Sequence, residues 1–312
     1  MLISVVTPVY KAEEILPELC RRLILSLSKI TDDFEIIMIN DGSLGNDWEV
    51  IKTLAVNDKR IKGINLSKNF GQHFAITAGL DFAQGEWVVV MDCDLQDPPE
   101  EIVKLFEKAN EGFEVVWARR YNRKDSLFKR LTSRIFISVF DKLSGLKSDP
   151  TVANFSIIKK EVVENFRKFR ERNRAYSLFV RMTGFKQEYI NFEHSERPFG
   201  KSSYNLSKLF KLAFEIIIAH SNKPLKISIV FGFLLTLVSL LYTFFLMIRY
   251  YTHQISVDGW TTVVVSVWFL AGLGFANMGL LGLYIGKIFD ETKNRPLYIV
   301  SMSINFENCV DL

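Results

Sequence analysis

A chain of 312 residues and 36.0 kDa, 48% apolar and 24% charged, carries too much hydrophobic material for a disordered or low-complexity segment and has room for one large domain or two smaller ones. Its formal net charge of +4, from 39 basic and 35 acidic side chains, comes without a continuous basic stripe, which argues against a nucleic-acid partner. Cys20, Cys93 and Cys309 are far apart and form no CxxC pair, so neither a disulfide framework nor a zinc site is expected, and a reducing compartment fits.

Along the chain, Met1 to Pro8 is an apolar run too short for a signal-peptide core and without a basic flank, so it is expected as a strand. Up to about residue 120, short apolar runs alternate with amphipathic stretches, the pattern of βαβ units feeding a mainly parallel sheet. Strands are expected at Ile3–Thr7, Phe34–Asn40, Ile61–Asn65, Trp87–Met91 and Glu114–Ala118. Helices are expected at Glu13–Leu27, Asp47–Asn57, Gln72–Ala83 and Pro99–Glu111, the last opening on a Pro-Pro pair that a helix N-terminus tolerates.

Open α/β sheets bind ligands beyond the carboxyl ends of their strands. Polar residues follow three of the expected strands there: Pro8, Tyr10 and Glu13; Asn40-Asp41-Gly42-Ser43; and Asp92-Cys93-Asp94-Leu95-Gln96-Asp97. No GxGxxG follows the first strand and no GxxxxGKS or GxxxxGKT occurs, so dinucleotide and P-loop sites lose their fingerprints. Asp92 and Asp94 are two residues apart and project to one side if the strand continues through them. With the amide oxygen of Gln96 they make a hard oxygen site suited to Mg2+ or Mn2+, which completes its shell with water and substrate phosphates.

Further on, Glu193 to Tyr204 places Arg197 and Lys201 on either side of a Pro-Gly turn beside Ser202 and Ser203, a way to present two cations and two hydroxyls to one phosphate. Apolar residues at 206, 209, 210, 213, 214 and 217 then follow helical spacing, with Lys208 and Lys211 on the polar side. Such a helix suits the membrane interface or the face of the sheet. Two charge-free stretches follow, the 22 residues Ile227–Ile248 and the 28 residues Gly259–Gly286. Each is long enough to cross a hydrocarbon core of about 30 Å, and they raise the mean hydropathy to +0.12. Lys223 and Lys226 before the first span, and Lys287, Lys293 and Arg295 after the second, put both ends of the hairpin in the cytoplasm. Tyr250, Tyr251 and Trp260 would form an aromatic belt at the far interface. Gly282 and Gly286 form a GxxxG, a close-packing motif that makes a homo-oligomer plausible.

Taken together, VVTPVYK at the N-terminus, INDGS at 39–43, LSKNFGQHFAITAGLDFAQGEWVVVMDCDLQDPPE at 66–100 and HSERPFGKSSYNLSKLFKLAFE at 194–215 resemble family 2 glycosyltransferases of the GT-A fold. The resemblance runs over residues 2–300 and is narrower still to the polyprenyl-phosphate glycosyltransferase branch, which includes dolichyl-phosphate mannose synthase and undecaprenyl-phosphate glucosyltransferases with two C-terminal membrane helices. It implies an α/β GT-A domain over residues 1–204, a juxtamembrane amphipathic helix at 205–223, a transmembrane hairpin at 224–289 and a cytoplasmic tail at 290–312. It also implies that Pro8, Tyr10 and Glu13 border the base and ribose of a nucleotide sugar, that Asp41 accepts a hydrogen bond from the base, and that the segment around Lys68 closes the pocket. Asp92 would sit near ribose and metal, while Asp94 and Gln96 would hold Mg2+ or Mn2+ against the diphosphate. Arg197, Lys201, Ser202 and Ser203, with Arg134, would bind the acceptor phosphate.

Asp149 occupies the place of an active-site Asp that relatives follow, a few residues later, with Phe-Arg; here Phe155 is followed by Ser156. The expected reaction is inverting transfer from a UDP-sugar to a polyprenyl phosphate at the cytoplasmic face of the membrane, with Asp149 orienting the reacting groups. A hydroxyl acceptor on a lipid-linked saccharide is the alternative, with Asp149 as general base. A non-catalytic membrane scaffold is a third reading, which the intact Asp92, Asp94 and Gln96 disfavour.

Overall fold

A computed structural model describes residues 1–121, 141–142, 152–193, 217–218, 221–253 and 259–306. The chain divides into two compact units, one of Met1–Ser126, Asp149–Ser202 and Arg295–Leu312, the other of Leu127–Ser148 and Ser203–Asn294.

The first unit is built on an eight-stranded sheet in the order β7-β5-β6-β4-β1-β2-β3-β8. Its strands are β1 Ile3–Val9, β2 Phe34–Asn40, β3 Ile61–Leu66, β4 Trp87–Val90, β5 Val115–Tyr121, β6 Val152–Lys159, β7 Gln187–Glu193 and β8 Val300–Ile304. β1 pairs in parallel with β2 and β4, and β2 with β3, so the first four strands all point their carboxyl ends to one edge. β6 and β8 run antiparallel to their neighbours. Every residue of β1 and β2 is buried, as expected of strands covered on both faces.

Strand alternation divides the core into two layers. Ile3, Val5, Ile36, Met38 and Val89 face α1 Leu16–Leu27, α2 Asp47–Asn57 and α4 Ile102–Ala109, through Leu19, Leu23, Ile51 and Leu105. Val6, Ile37, Ile39, Val88 and Val90 face α3 Gln72–Phe82, α5 Lys160–Phe166 and α6 Tyr176–Met182, through Ala75, Ile76, Phe166 and Phe179. α3 lies close on the sheet because Gly79 has no side chain: a Cβ there would stand 2.4 Å from Val6 Cγ1 and 2.6 Å from Ile39 Cδ1.

Several expected boundaries move. α1 starts at Leu16 with Pro17 in its first turn, so Glu13 belongs to the preceding loop. A 3-10 turn at Pro99–Glu101 precedes α4, and β4 stops at Val90. The segment expected as a C-terminal tail contributes β8, whose Ile64↔Ser303 register extends the sheet beyond β3. Ser156, where the Phe-Arg pattern breaks, is fully buried on β6 with its hydroxyl 2.8 Å from that of Tyr176.

His73 supplies a pH dependence. It is partly buried, and its Nδ1 accepts the Tyr176 amide at 3.4 Å, which requires the neutral ring. Burial, reinforced by Arg174, holds its pKa below the ordinary histidine value. The folded state therefore binds this proton less readily than the unfolded chain, whose histidine titrates near about 6.5; the stabilisation is complete above that pH and is lost on acidification at up to about 1.4 kcal/mol per pH unit. The melting temperature of the full chain in micelles should fall between pH 7 and pH 5, and His73→Asn should shrink that fall.

In the second unit, helix α7 Lys223–His253 covers the first charge-free stretch and α8 Trp260–Thr292 the second from Trp260 on. Both are long and apolar enough to cross a membrane, and their large apolar side chains are exposed, Phe233 at 70% and Trp268 at 78%. Ser228 donates its hydroxyl to Asn277 Oδ1, joining the two helices. A Cβ at Gly282 or Gly286 would meet nothing within 4 Å, so the close packing expected of that motif is not made among the described residues. The side chains of Tyr250, Tyr251 and Trp260, and residues 206–216 of the helix expected over 206–218, lie outside the described set.

Candidate active site

Four loops gather at the carboxyl edge of β1 to β4. After β1, Lys11 takes a left-handed φ of 54° and Glu13 reaches across, its Oε2 accepting the Asn46 amide at 2.7 Å. Asp47, fully buried at the start of α2, accepts the Ala12 amide through Oδ1 at 2.6 Å and the Ser43 hydroxyl through Oδ2. The loops after β1 and β2 are thus stitched together by charge-assisted hydrogen bonds. Pro8 is buried within β1, opposite Ile39, whereas Tyr10 is 45% exposed just beyond it.

Asp41 joins the second loop to the third. Its carboxylate is 3% exposed; Oδ1 accepts the Phe70 amide at 2.8 Å and Oδ2 the Gly71 amide at 2.9 Å. Burial pushes its pKa up, and the two amides pull it back. Gly42 has φ +60° and lies against the same loop, with Lys68 and Asn69 backbone atoms where its Cβ would be. Lys68 itself is exposed, its Nζ 5.1 Å from the Phe70 ring centre.

Beyond β4 the chain turns. Asp92 and Asp94 therefore do not lie on a continuing strand: Leu95 adopts φ +56°, a conformation unfavourable for a branched side chain, and Asp94 Oδ1 accepts the Gln96 amide at 3.2 Å in an Asx turn. Gln72, at the start of α3, donates from Nε2 to Asp92 Oδ1 at 2.6 Å. Gln96 is 8% exposed.

The donor set fits a hard divalent cation. Asp92 and Asp94 put two hard carboxylate groups on one turn, the ligand type that Mg2+ takes together with water and phosphate; among the described residues no three His, Cys, Asp or Glu gather into a metal cage. Burial, with the charge of Asp92 next, pushes the Cys93 thiol up to about 12.

Asp149, Arg134, Arg197, Lys201, Ser202 and Ser203 lie outside the described residues. Two residues that the sequence reading did not single out, Asp47 and Gln72, hold the site's loops. Asp47 carried a signal, an acidic residue at the first position of a helix; Gln72 carried none.

Residues 4–167 match the family described as "Glycosyl transferase family 2". The chain is 35% identical over 306 residues to a Bacillus subtilis (strain 168) protein named uncharacterized glycosyltransferase YkcC, covering 98% of this chain and 95% of that one. It is 36% identical over 304 residues to the SfII prophage-derived bactoprenol glucosyl transferase of Shigella flexneri, covering 97% and 98%. It is 32% identical over 301 residues to the undecaprenyl-phosphate 4-deoxy-4-formamido-L-arabinose transferase of Proteus mirabilis (strain HI4320), covering 96% and 92%.

Proposed function

We propose, on the premise that the chain belongs to glycosyl transferase family 2, that it transfers a sugar from a nucleotide sugar, with UDP as the expected nucleotide, to a polyprenyl phosphate at the membrane surface. The observation that carries the reading is the convergence of four strand-end loops on one edge of the sheet, with Asp92 and Asp94 at its centre. Relatives alike over nearly their whole length are named for a polyprenol acceptor and for different sugars, which supports the acceptor class and leaves the sugar open.

In this reading the nucleoside lies along Tyr10 and the Asp41 turn, between loops that Asp47, Glu13 and Asp41 hold in place before any ligand arrives. Such preorganisation keeps ordering entropy from being spent at each binding event. Asp94 and Gln96, with Asp92 beside them, would hold Mg2+ or Mn2+, which when bound neutralises the charge developing on the diphosphate as it leaves. An oxygen of the acceptor phosphate attacks the anomeric carbon, the bond from that carbon to the diphosphate breaks, and the configuration inverts. A phosphate acceptor is already anionic at neutral pH, so no base is needed. Asp149 would orient the reacting groups, and Arg197, Lys201, Ser202, Ser203 and Arg134 would cradle the acceptor phosphate.

β8 lies in the same sheet as β1 to β3, yet α7 and α8 intervene in the chain. That connectivity supports both ends of the helical pair lying on one side of any membrane it crosses. With lysines at the outer ends of both helices, Lys223 and Lys226 on α7 and Lys287 and Lys293 at the end of α8, that side is read as the cytoplasmic one, giving a two-span protein of the cytoplasmic membrane with its nucleotide site facing the nucleotide pool. In this reading residues 1–204 would be the catalytic part, 205–223 an interfacial helix, 224–289 the hairpin and 290–312 a cytoplasmic tail, of which Val300–Ile304 joins the sheet.

The test is to incubate the purified full chain with a panel of labelled nucleotide sugars and undecaprenyl phosphate. The expected product is a labelled lipid cleaved by mild acid, as a glycosyl phosphate is. An acid-stable product formed only when a lipid-linked saccharide is added would replace this acceptor with a hydroxyl.

A further inference from the structure

We propose that Gln72 is a positioning residue for Asp92: its side-chain amide fixes the carboxylate that faces the divalent cation. The inference rests on the metal-dependent reading above and adds to it a residue outside the acidic turn. Gln72 Nε2 donates to Asp92 Oδ1 at 2.6 Å, and the two residues come from different strand ends, one after β3 and one after β4. Asp92 has no strand geometry to hold it, since β4 ends at Val90.

The donor's own position is over-determined. Just before it, Phe70 and Gly71 are tied to the Asp41 carboxylate, and Gly71 takes φ +105° to start the helix. Along α3, Gly79 lets the helix lie close on β1 and β2. At its far end, Asp81 is gripped by both terminal nitrogens of Arg170, at 2.8 and 3.1 Å, and by the Tyr298 hydroxyl at 2.8 Å, while Arg167 caps the carbonyls of Leu80 and Ala83. A helix held at both ends presents one side chain, and that side chain ends on Asp92.

The chemistry explains why an amide stands there. A neutral donor occupies one lone pair of the carboxylate and sets its orientation without cancelling its charge, so the full negative charge remains for the cation. A lysine at this place would orient the group and neutralise it at once. Partners of this kind typically change metal affinity 10- to 100-fold when removed.

Gln72 is exposed, so Gln72→Met removes the donor without disturbing the core, and Gln72→Ala is the second variant. Mn2+ affinity of the full chain in nanodiscs, with UDP present, is read from the electron paramagnetic resonance signal of free Mn2+. The expected result is a Mn2+ dissociation constant raised about 10-fold or more in both variants, melting temperatures close to wild type, and turnover that recovers towards wild type at high Mn2+. A dissociation constant within twofold of wild type in both variants, while Asp94→Ala loses binding, overturns the role of Gln72 and leaves the metal reading standing. Absence of Mn2+ binding in the wild-type chain overturns both.

Discussion

Gly42→Ala should cost about 100-fold or more in kcat/KM, through a raised KM for the nucleotide sugar, while the sheet stays folded. The added Cβ would stand 2.2 Å from the Lys68 carbonyl carbon and 2.3 Å from the Asn69 nitrogen. These are backbone atoms, so no side chain can swing aside to make room. The φ of +60° adds a strain of about 1 kcal/mol or more for any residue with a side chain. The loop over 68–71 must move by about an ångström, and a misplacement of that size, even away from the chemistry, costs about 100-fold. The same shift would pull Phe70 and Gly71 off Asp41 and disturb the start of α3. Steady-state kinetics alongside a melting curve check this: wild-type kinetics with an unchanged melting temperature would mean the loop is not a wall of the nucleotide site.

Asp94→Ala should lower kcat by about 1,000-fold at a Mn2+ concentration that saturates the wild type, the scale on which a removed charge-stabilising group acts at a reacting centre. Asp94→Asn should fall between that variant and wild type, because the amide keeps an oxygen ligand and loses the charge. Substitution here also breaks the Asx turn to the Gln96 amide, so the comparison of the two variants matters: asparagine can keep that turn. If both variants turned over like wild type, the acidic turn would have no part in the reaction.

Much of the fold was legible along the chain because its first half is locally coded. β2 and α2 have the bounds that alternation and helical spacing predict, Phe34–Asn40 and Asp47–Asn57. Both are covered by their immediate neighbours, so local patterning and burial agree. β8 was not legible. Val300–Ile304 is five residues long, and its partner β3 lies more than two hundred residues earlier, so nothing nearby announces the pairing.

The site divides in the same way. Asp92, Asp94 and Gln96 stood out by type and spacing, but the strand geometry that would set the two carboxylates side by side is absent: Leu95 reverses the backbone and the turn arranges them instead. Asp41 was expected to face a base, and its two oxygens also hold the backbone amides of the next loop, a role only the fold reveals. The hydrogen bond between Gln72 and Asp92 likewise depends on two strand ends meeting in space.

The central claim is that a cation held at this acidic turn meets the diphosphate of a nucleotide sugar. The direct measurement is anomalous diffraction at the manganese edge from crystals of the full chain grown with Mn2+ and UDP. The account predicts a single strong peak within coordination distance of the Asp94 carboxylate and of both phosphates. UDP seated at the sheet edge with no manganese beside Asp94, or manganese bound elsewhere, would contradict it.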